Sequence, residues 1–202
     1  MIAAIVGLAG SGKTMTLTRQ ASTYDVIMCN YRLHEQYFPK ATKIYYVKDV
    51  EDFFKLNYMD LAIAIAAQKR NNRVVLAIDE AGLFFPSTAF KKMPSSFMYL
   101  FAQHRKLGVD LWYTAQSMRQ VNGLLKVNTM ISYDMGHLWS FFYFSVWNKD
   151  YIQRKGALQW RGCYWARPTD KKRYNTLEML DGADWYIRST EEAQQQSKIL
   201  RV

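Results

Sequence analysis

Eight residues, Gly7-Leu8-Ala9-Gly10-Ser11-Gly12-Lys13-Thr14, follow directly on the apolar run Ile2 to Val6 and lead into a segment of helical pattern at residues 13 to 22. A short continuous apolar run ending in glycine reads as a strand covered on both faces, as in a parallel sheet. A glycine-rich turn closing on Lys-Thr between such a strand and a helix is built for one ligand chemistry. Its backbone N–H groups turn inward around a β-phosphate, the lysine reaches the β- and γ-phosphates, and the hydroxyl is offered to Mg²⁺. Gly7, Ala9, Gly10, Ser11, Gly12, Lys13 and Thr14 are therefore the candidate nucleotide-binding residues, and ATP with Mg²⁺ the expected cofactors.

The rest of the chain continues this alternation. Asp25 to Cys29 reads as a second strand and Ile44 to Val47 as another short one. Val50 to Arg70 has apolar residues at helical spacing with acids early and bases late, which suits the helix dipole. Arg73 to Ile78 and Val109 to Ala115 are β-branched runs, with a helix expected over Ser95 to Lys106 between them. Beyond about residue 125 the texture becomes aromatic. Met130 to Tyr133, Leu138 to Trp147 and Leu158 to Arg167 read as antiparallel strands or hairpins, with turns near Gly136, Asn148 to Asp150 and Gly156. The expected architecture is one α/β domain over residues 1–202: a nucleotide-binding core at 1–120, an antiparallel aromatic and basic extension at 121–188, and a polar tail at 189–202.

Val74 to Ile78 delivers Asp79 and Glu80 to the end of an apolar strand, where a carboxylate can hold magnesium and the next one can orient and activate a water. Thr14 and Asp79 are thus the candidate metal residues, and Glu80 the candidate base. A solvated acid opening a loop would look the same in sequence. Gln116 falls where the following strand should end and suits a γ-phosphate sensor, or a plain surface glutamine. Arg105 and Arg119 flank that strand. Either could enter a neighbouring subunit's site to meet transition-state charge, or both could be surface bases.

Composition narrows the partners. Half of the 202 residues are apolar and 22% charged, so a disordered or fibrous chain is excluded. Lys and Arg number 27 against 17 Asp and Glu, and a net charge of +10 points to a polyanion or an acidic membrane surface. Eight bases and two acids between Lys149 and Arg173 concentrate that excess. Tyr151, Trp160, Tyr164, Trp165 and Tyr174, interleaved with them, are stacking candidates or ordinary sheet aromatics. Lys171, Lys172 and Arg173 are candidate DNA contacts, as are Lys91 and Lys92 in the loop between Pro86 and Pro94, unless that loop is merely a solvated turn. Two cysteines, Cys29 and Cys163, form no CxxC and accompany no histidine pair, which suits a reduced compartment and gives no zinc site. The uncharged run Met135 to Asn148 is shorter than the roughly 20 residues of a spanning helix, so no integral membrane span is expected.

GLAGSGKT, then VVLAIDEAGLFFPS, then QHRKLGVDLWYTAQS resembles the viral branch of the FtsK and HerA superfamily over residues 2 to about 120. That branch includes genome-packaging ATPases of membrane-containing viruses and the zonular occludens toxin-like assembly proteins of filamentous phages. The resemblance implies a RecA/FtsK-HerA-like P-loop NTPase fold: a mostly parallel central sheet flanked by helices and extended by antiparallel strands on its C-terminal side. Residue by residue it implies Lys13 and Thr14 for nucleotide and Mg²⁺, Asp79 and Glu80 for metal and water, and Gln116 as sensor. It further implies a homo-oligomeric ring, pentameric or hexameric, that moves double-stranded DNA into a capsid. Capsid vertex proteins are then partners, and the host cytoplasm or the virion vertex its location. Zonular occludens-like proteins usually continue into a membrane span and a periplasmic part. Their absence from these residues favours the packaging branch, with coat-protein extrusion at a membrane as the alternative. A nucleotide kinase is disfavoured, because Glu80 suits water activation and no arginine-rich lid is evident.

Overall fold

The computed structural model of the protein describes residues 1–40, 42–47, 73–88, 95–138, 141–148 and 158–174. Among them, strands β1 (Ile2–Val6), β2 (Val26–Cys29), β3 (Lys43–Tyr46), β4 (Val74–Ile78), β5 (Val109–Ala115), β6 (Ile131–Leu138), β7 (Phe141–Asn148) and β8 (Leu158–Trp165) form one sheet. Its order is β3-β2-β4-β5-β1-β6-β7-β8. Every pairing from β3 to β6 is parallel, and β6-β7 and β7-β8 are antiparallel. The helices are α1 (Lys13–Ala21), α2 (Ala81–Phe84), α3 (Ser95–Leu107), α4 (Gly123–Asn128) and α5 (Pro168–Lys172).

Ile2 to Ile5 and Val74 to Ile78 are fully buried, which is why these strands read as unbroken apolar runs: both faces of the sheet are covered. On one face Ile2, Ala4, Leu76, Ile78, Leu111 and Tyr113 meet Phe85, Leu100, Phe101 and Leu125 from the α2, α3 and α4 side. On the other, Ala3, Ile5, Val75 and Trp112 meet Met15, Leu17 and Ala21 of α1. Fully burying one such aliphatic or aromatic side chain contributes about 1.5–3 kcal/mol. The two layers therefore hold the sheet's C-terminal edge, where the loops emerge, on a rigid base.

The antiparallel extension corrects two expectations. The aromatic texture from Met130 to Tyr133 predicts the opening of an antiparallel unit, but β6 lies parallel to β1 (Ala3 opposite Ile131, Val6 opposite Asp134) and only its far side is antiparallel. The run Leu138 to Trp147 falls in the β6-β7 hairpin, as expected, with Leu138 closing β6 and Phe141 opening β7, but Gly136 is not a turn. Gly136 sits inside β6 opposite Tyr143, and the chain reverses between β6 and β7 instead. The glycine is there because the Tyr143 ring lies where a Cβ would stand. Gly136→Ala is expected to turn that half-exposed ring toward solvent at a cost of no more than about 0.5 kcal/mol, read as a nearly unchanged denaturation midpoint. The expected helix at 50–70 and the tail at 189–202 lie outside the described residues, as does the Gly156 turn. Among the described residues no helix is long and apolar enough to cross a membrane, and both Cys29 and Cys163 are free thiols.

Candidate nucleotide site

The loop after β1 is shaped by two glycines in the left-handed region, Gly10 at φ 76° and Gly12 at φ 81°. Gly12 is doubly required, because the Phe142 ring of β7 occupies the space a Cβ would take. Gly12 is also the N-cap of α1 and supplies no side-chain cap, so the first N–H groups of the helix stay open toward the loop. Ser11 is buried with its Oγ unpartnered. Lys13 is only 6% exposed and its Nζ donates to the Leu8 carbonyl at 3.1 Å, while Leu8 itself stands 80% exposed. Buried N–H groups, a hydroxyl and an ammonium with so few internal partners make a cradle for an anion.

β4 ends at the same edge and presents Asp79 and Glu80. Asp79 is 3% exposed, and burial pushes its carboxyl up to about 6 against the hydroxyls of Thr114 and Thr14, which favour the ionised form. Glu80 raises it further and Lys13 opposes that. Thr14 Oγ1 lies 3.1 and 3.0 Å from the two Asp79 oxygens, and Thr114 Oγ1 donates to Oδ1 at 2.5 Å. A hydroxyl and a carboxylate, converging beside a phosphate cradle, are hard oxygen donors of the kind Mg²⁺ takes. The pairing thus fits a magnesium ion held by Thr14 and Asp79. Glu80 has φ 50°, the one positive φ of a non-glycine residue among those described. Its Oε1 lies 3.9 Å from Lys13 Nζ, and its side chain is about one-third exposed.

The topology places β5 between β1 and β4, so β5 and not β4 touches the phosphate loop's strand. Gly7 N–H donates to the Ala115 carbonyl at 3.3 Å, which sets Gln116, exposed, directly across from the loop's first residue. Arg119 is exposed in the short turn Met118–Gln120 at this same edge. Arg105 is at the other end of the sheet, on α3, with its Nη2 at 2.8 Å from Met130 Sδ, ahead of β6. Lys13, Thr14, Asp79 and Glu80 come together. Gln116 and Arg119 share their edge, and Arg105 does not.

Of the basic residues expected to meet DNA, Lys91 and Lys92 lie outside the described residues. Lys171 and Lys172 belong to α5, and Lys172 is exposed. Arg173 is engaged internally: Nη1 donates to Ser22 Oγ at 2.9 Å, lies 3.7 Å from Asp170 Oδ1, and the guanidinium covers the Phe38 ring. The interleaved aromatics divide likewise. Tyr164 bonds Thr16 Oγ1 at 2.6 Å and stacks on Phe142, whereas Trp165 is 65% exposed.

Two residues that motif reasoning passed over belong to the site. Asn30, just after β2, pairs with the Asp79 backbone in both directions: Nδ2 donates to the Asp79 carbonyl at 2.8 Å, and Oδ1 accepts from its N–H at 2.7 Å. Thr114 Oγ1 accepts from Glu80 N–H at 2.8 Å. The available signal was a polar side chain inside or ending a buried strand, which must find a partner.

The family model of zonular occludens toxin (Zot) matches residues 1–138. The N-terminal domain of zonular occludens toxin from Neisseria meningitidis superposes with a TM-score of 0.60 at 19% identity, covering 86% of this chain and 98% of that one. The genome packaging NTPase B204 from Sulfolobus turreted icosahedral virus 2, solved in complex with ATP-gammaS, gives 0.58 at 13% identity over 82% and 97%. The DNA-packaging ATPase B204 from Sulfolobus turreted icosahedral virus gives 0.57 at 14% identity, again over 82% and 97%. No curated protein sequence matches. With two-thirds of its length matched, and the P-loop NTPase fold shared with these structures, the chain belongs to the zonular occludens toxin (Zot) family.

Proposed function

We propose that the protein hydrolyses ATP as a subunit of a ring and uses the energy to move double-stranded DNA into a capsid. The observation that carries the ATPase reading is the meeting of Lys13, Thr14, Asp79 and Glu80 at one sheet edge. Magnesium, when held there by Thr14 and Asp79, would supply charge neutralisation at the β- and γ-phosphates. Lys13 leaves the Leu8 carbonyl for phosphate oxygens. Glu80 orients a water and takes its proton as the water oxygen bonds to the γ-phosphorus. The bond from that phosphorus to the β-γ bridging oxygen breaks, and ADP and phosphate leave.

Gln116, across from Gly7, suits a sensor of the γ-phosphate. Arg119 is the better candidate for a residue entering a neighbour's site, since it stands exposed at the nucleotide edge. The +10 charge supports DNA as the transported polymer. Membership of the Zot family favours a second reading, an assembly ATPase that extrudes coat protein at a membrane. DNA binding separates the two. A translocating motor grips any sequence through phosphates, so affinity for duplex DNA should fall linearly in log salt. Lys91→Ala with Lys92→Ala should flatten that slope by about two phosphate contacts, roughly 0.9 each, and replacing Lys171 and Lys172, with the internally engaged Arg173 kept, tests the second patch. If both sets leave affinity and slope unchanged, the charge serves something other than DNA and the extrusion reading stands instead.

A further inference from the structure

Glu80 holds a backbone conformation that a residue with a Cβ adopts at a cost of about 1–2 kcal/mol, and which persists only where the surroundings impose it. The imposing groups come from the two strands flanking β4. From β5, the fully buried Thr114 hydroxyl accepts the Glu80 N–H at 2.8 Å and donates to Asp79 Oδ1 at 2.5 Å. From the end of β2, the Asn30 carboxamide closes both polar groups of the Asp79 backbone. The peptide between the two acids is therefore fixed on each side. One oxygen atom, Thr114 Oγ1, sets the main chain of the second acid against the side chain of the first.

We infer that Thr114, assisted by Asn30, is a positioning residue for hydrolysis: it holds the Glu80 backbone left-handed so that the Glu80 carboxylate faces the phosphate lysine instead of solvent. This rests on Glu80 acting as the base. Without the hydroxyl, the Glu80 N–H loses its acceptor, the peptide keeps only the Asn30 bond to the Asp79 carbonyl, and the strained left-handed backbone relaxes and carries the carboxylate away from Lys13. Neither Thr114 nor Asn30 belongs to the phosphate loop, so nucleotide affinity in the absence of magnesium, where the Thr114–Asp79 bond plays no part, is left to Lys13 and the loop N–H groups. The effect falls on turnover.

The test uses the full chain with Thr114→Val, which keeps the shape and removes the hydroxyl, and Thr114→Ser, which keeps the hydroxyl. A fluorescent ATP analogue gives Kd and single-turnover hydrolysis gives the rate. Thr114→Val should lose about 100-fold in rate, the order of effect produced by misplacing a catalytic group by about 1 Å, and keep the Kd measured in chelator without magnesium within about threefold. Thr114→Ser should recover the rate to within about threefold of wild type. In a Glu80→Gln background, Thr114→Val should add almost nothing, because both changes disable the same group. A wild-type rate in Thr114→Val overturns the inference, as does a parallel loss of binding or a failure of serine to rescue. Should Thr114→Val not fold, Asn30→Ala is read instead: about a tenfold loss of rate at unchanged Kd supports the inference, and an unchanged rate overturns it. Glu80→Gln alone keeps the two failures apart. If it turns over normally, the base assignment falls and takes this inference with it. If it is inactive while Thr114→Val is normal, only the positioning role falls.

Discussion

Lys13→Ala should leave the protein unable to bind ATP, whereas Glu80→Gln should bind ATP as wild type does and hydrolyse it at least about 100-fold more slowly, the range for removing a general base. The split follows from where the two side chains sit. Lys13 is buried at the cradle with a single backbone carbonyl as its hydrogen-bond acceptor, so its ammonium is available to phosphate and its loss removes ground-state affinity. Glu80 lies past the end of β4, partly exposed and 3.9 Å from that ammonium, so a change at its carboxylate leaves the loop's own hydrogen bonds in place. Glutamine keeps its size and one acceptor but cannot take a proton. Equilibrium binding of a fluorescent ATP analogue and single-turnover hydrolysis check both halves. A Glu80→Gln protein with a wild-type rate, or a Lys13→Ala protein with wild-type affinity, would contradict the assignment.

A second large effect is expected at Asp79, and it runs in opposite directions for stability and activity. Burial pushes the Asp79 carboxyl in the folded protein up to about 6 from an ordinary value of 3.8. Between those values the folded state keeps a proton that the unfolded chain has released, so stability falls as pH rises from about 4 to about 6. Above that window the full cost of the buried charge is present, about 3 kcal/mol at 1.36 kcal/mol per pKa unit. Asp79→Asn removes the charge, and the Thr14 and Thr114 hydroxyls can turn to suit an amide. Without magnesium at pH 7.5 the variant should be about 1–3 kcal/mol more stable, melting roughly 2–4 °C higher per kcal/mol, and its magnesium-dependent hydrolysis should be lost. Thermal melts in chelator across pH 4 to 8 measure this. A lower melting point for the variant at pH 7.5 would mean that the two threonine hydroxyls outweigh burial.

The parts of the site visible in sequence are those where function sits in consecutive residues. GLAGSGKT and IDE each carry strand, turn and chemistry together, and the structure places Lys13, Thr14, Asp79 and Glu80 at one edge. The alternation of apolar strands with helices likewise gave a mostly parallel sheet. What stayed hidden depends on distant partners. β6 takes its parallel partner from β1, 128 residues earlier at Ala3 and Ile131, and nothing local in Met130 to Tyr133 indicates which way a neighbour runs. Gly136 looks like a turn because glycine usually marks one, while its role here is to leave room for Tyr143. Asn30 and Thr114 act through the backbone of Asp79 and Glu80, so no motif contains them. Arg105 and Arg119 look equivalent along the chain, and only the sheet places them at opposite ends.

An ATP-driven motor on DNA is tested most directly by phosphate release from the purified full chain, with magnesium and ATP, measured with and without duplex DNA of unrelated sequences. The expected result is magnesium-dependent hydrolysis, lost in Glu80→Gln, that rises several-fold on adding duplex DNA whatever its sequence and loses that stimulation as salt is raised. Hydrolysis indifferent to DNA at low salt would contradict the DNA motor and leave the extrusion reading. No magnesium-dependent hydrolysis under any of these conditions would contradict the ATPase itself.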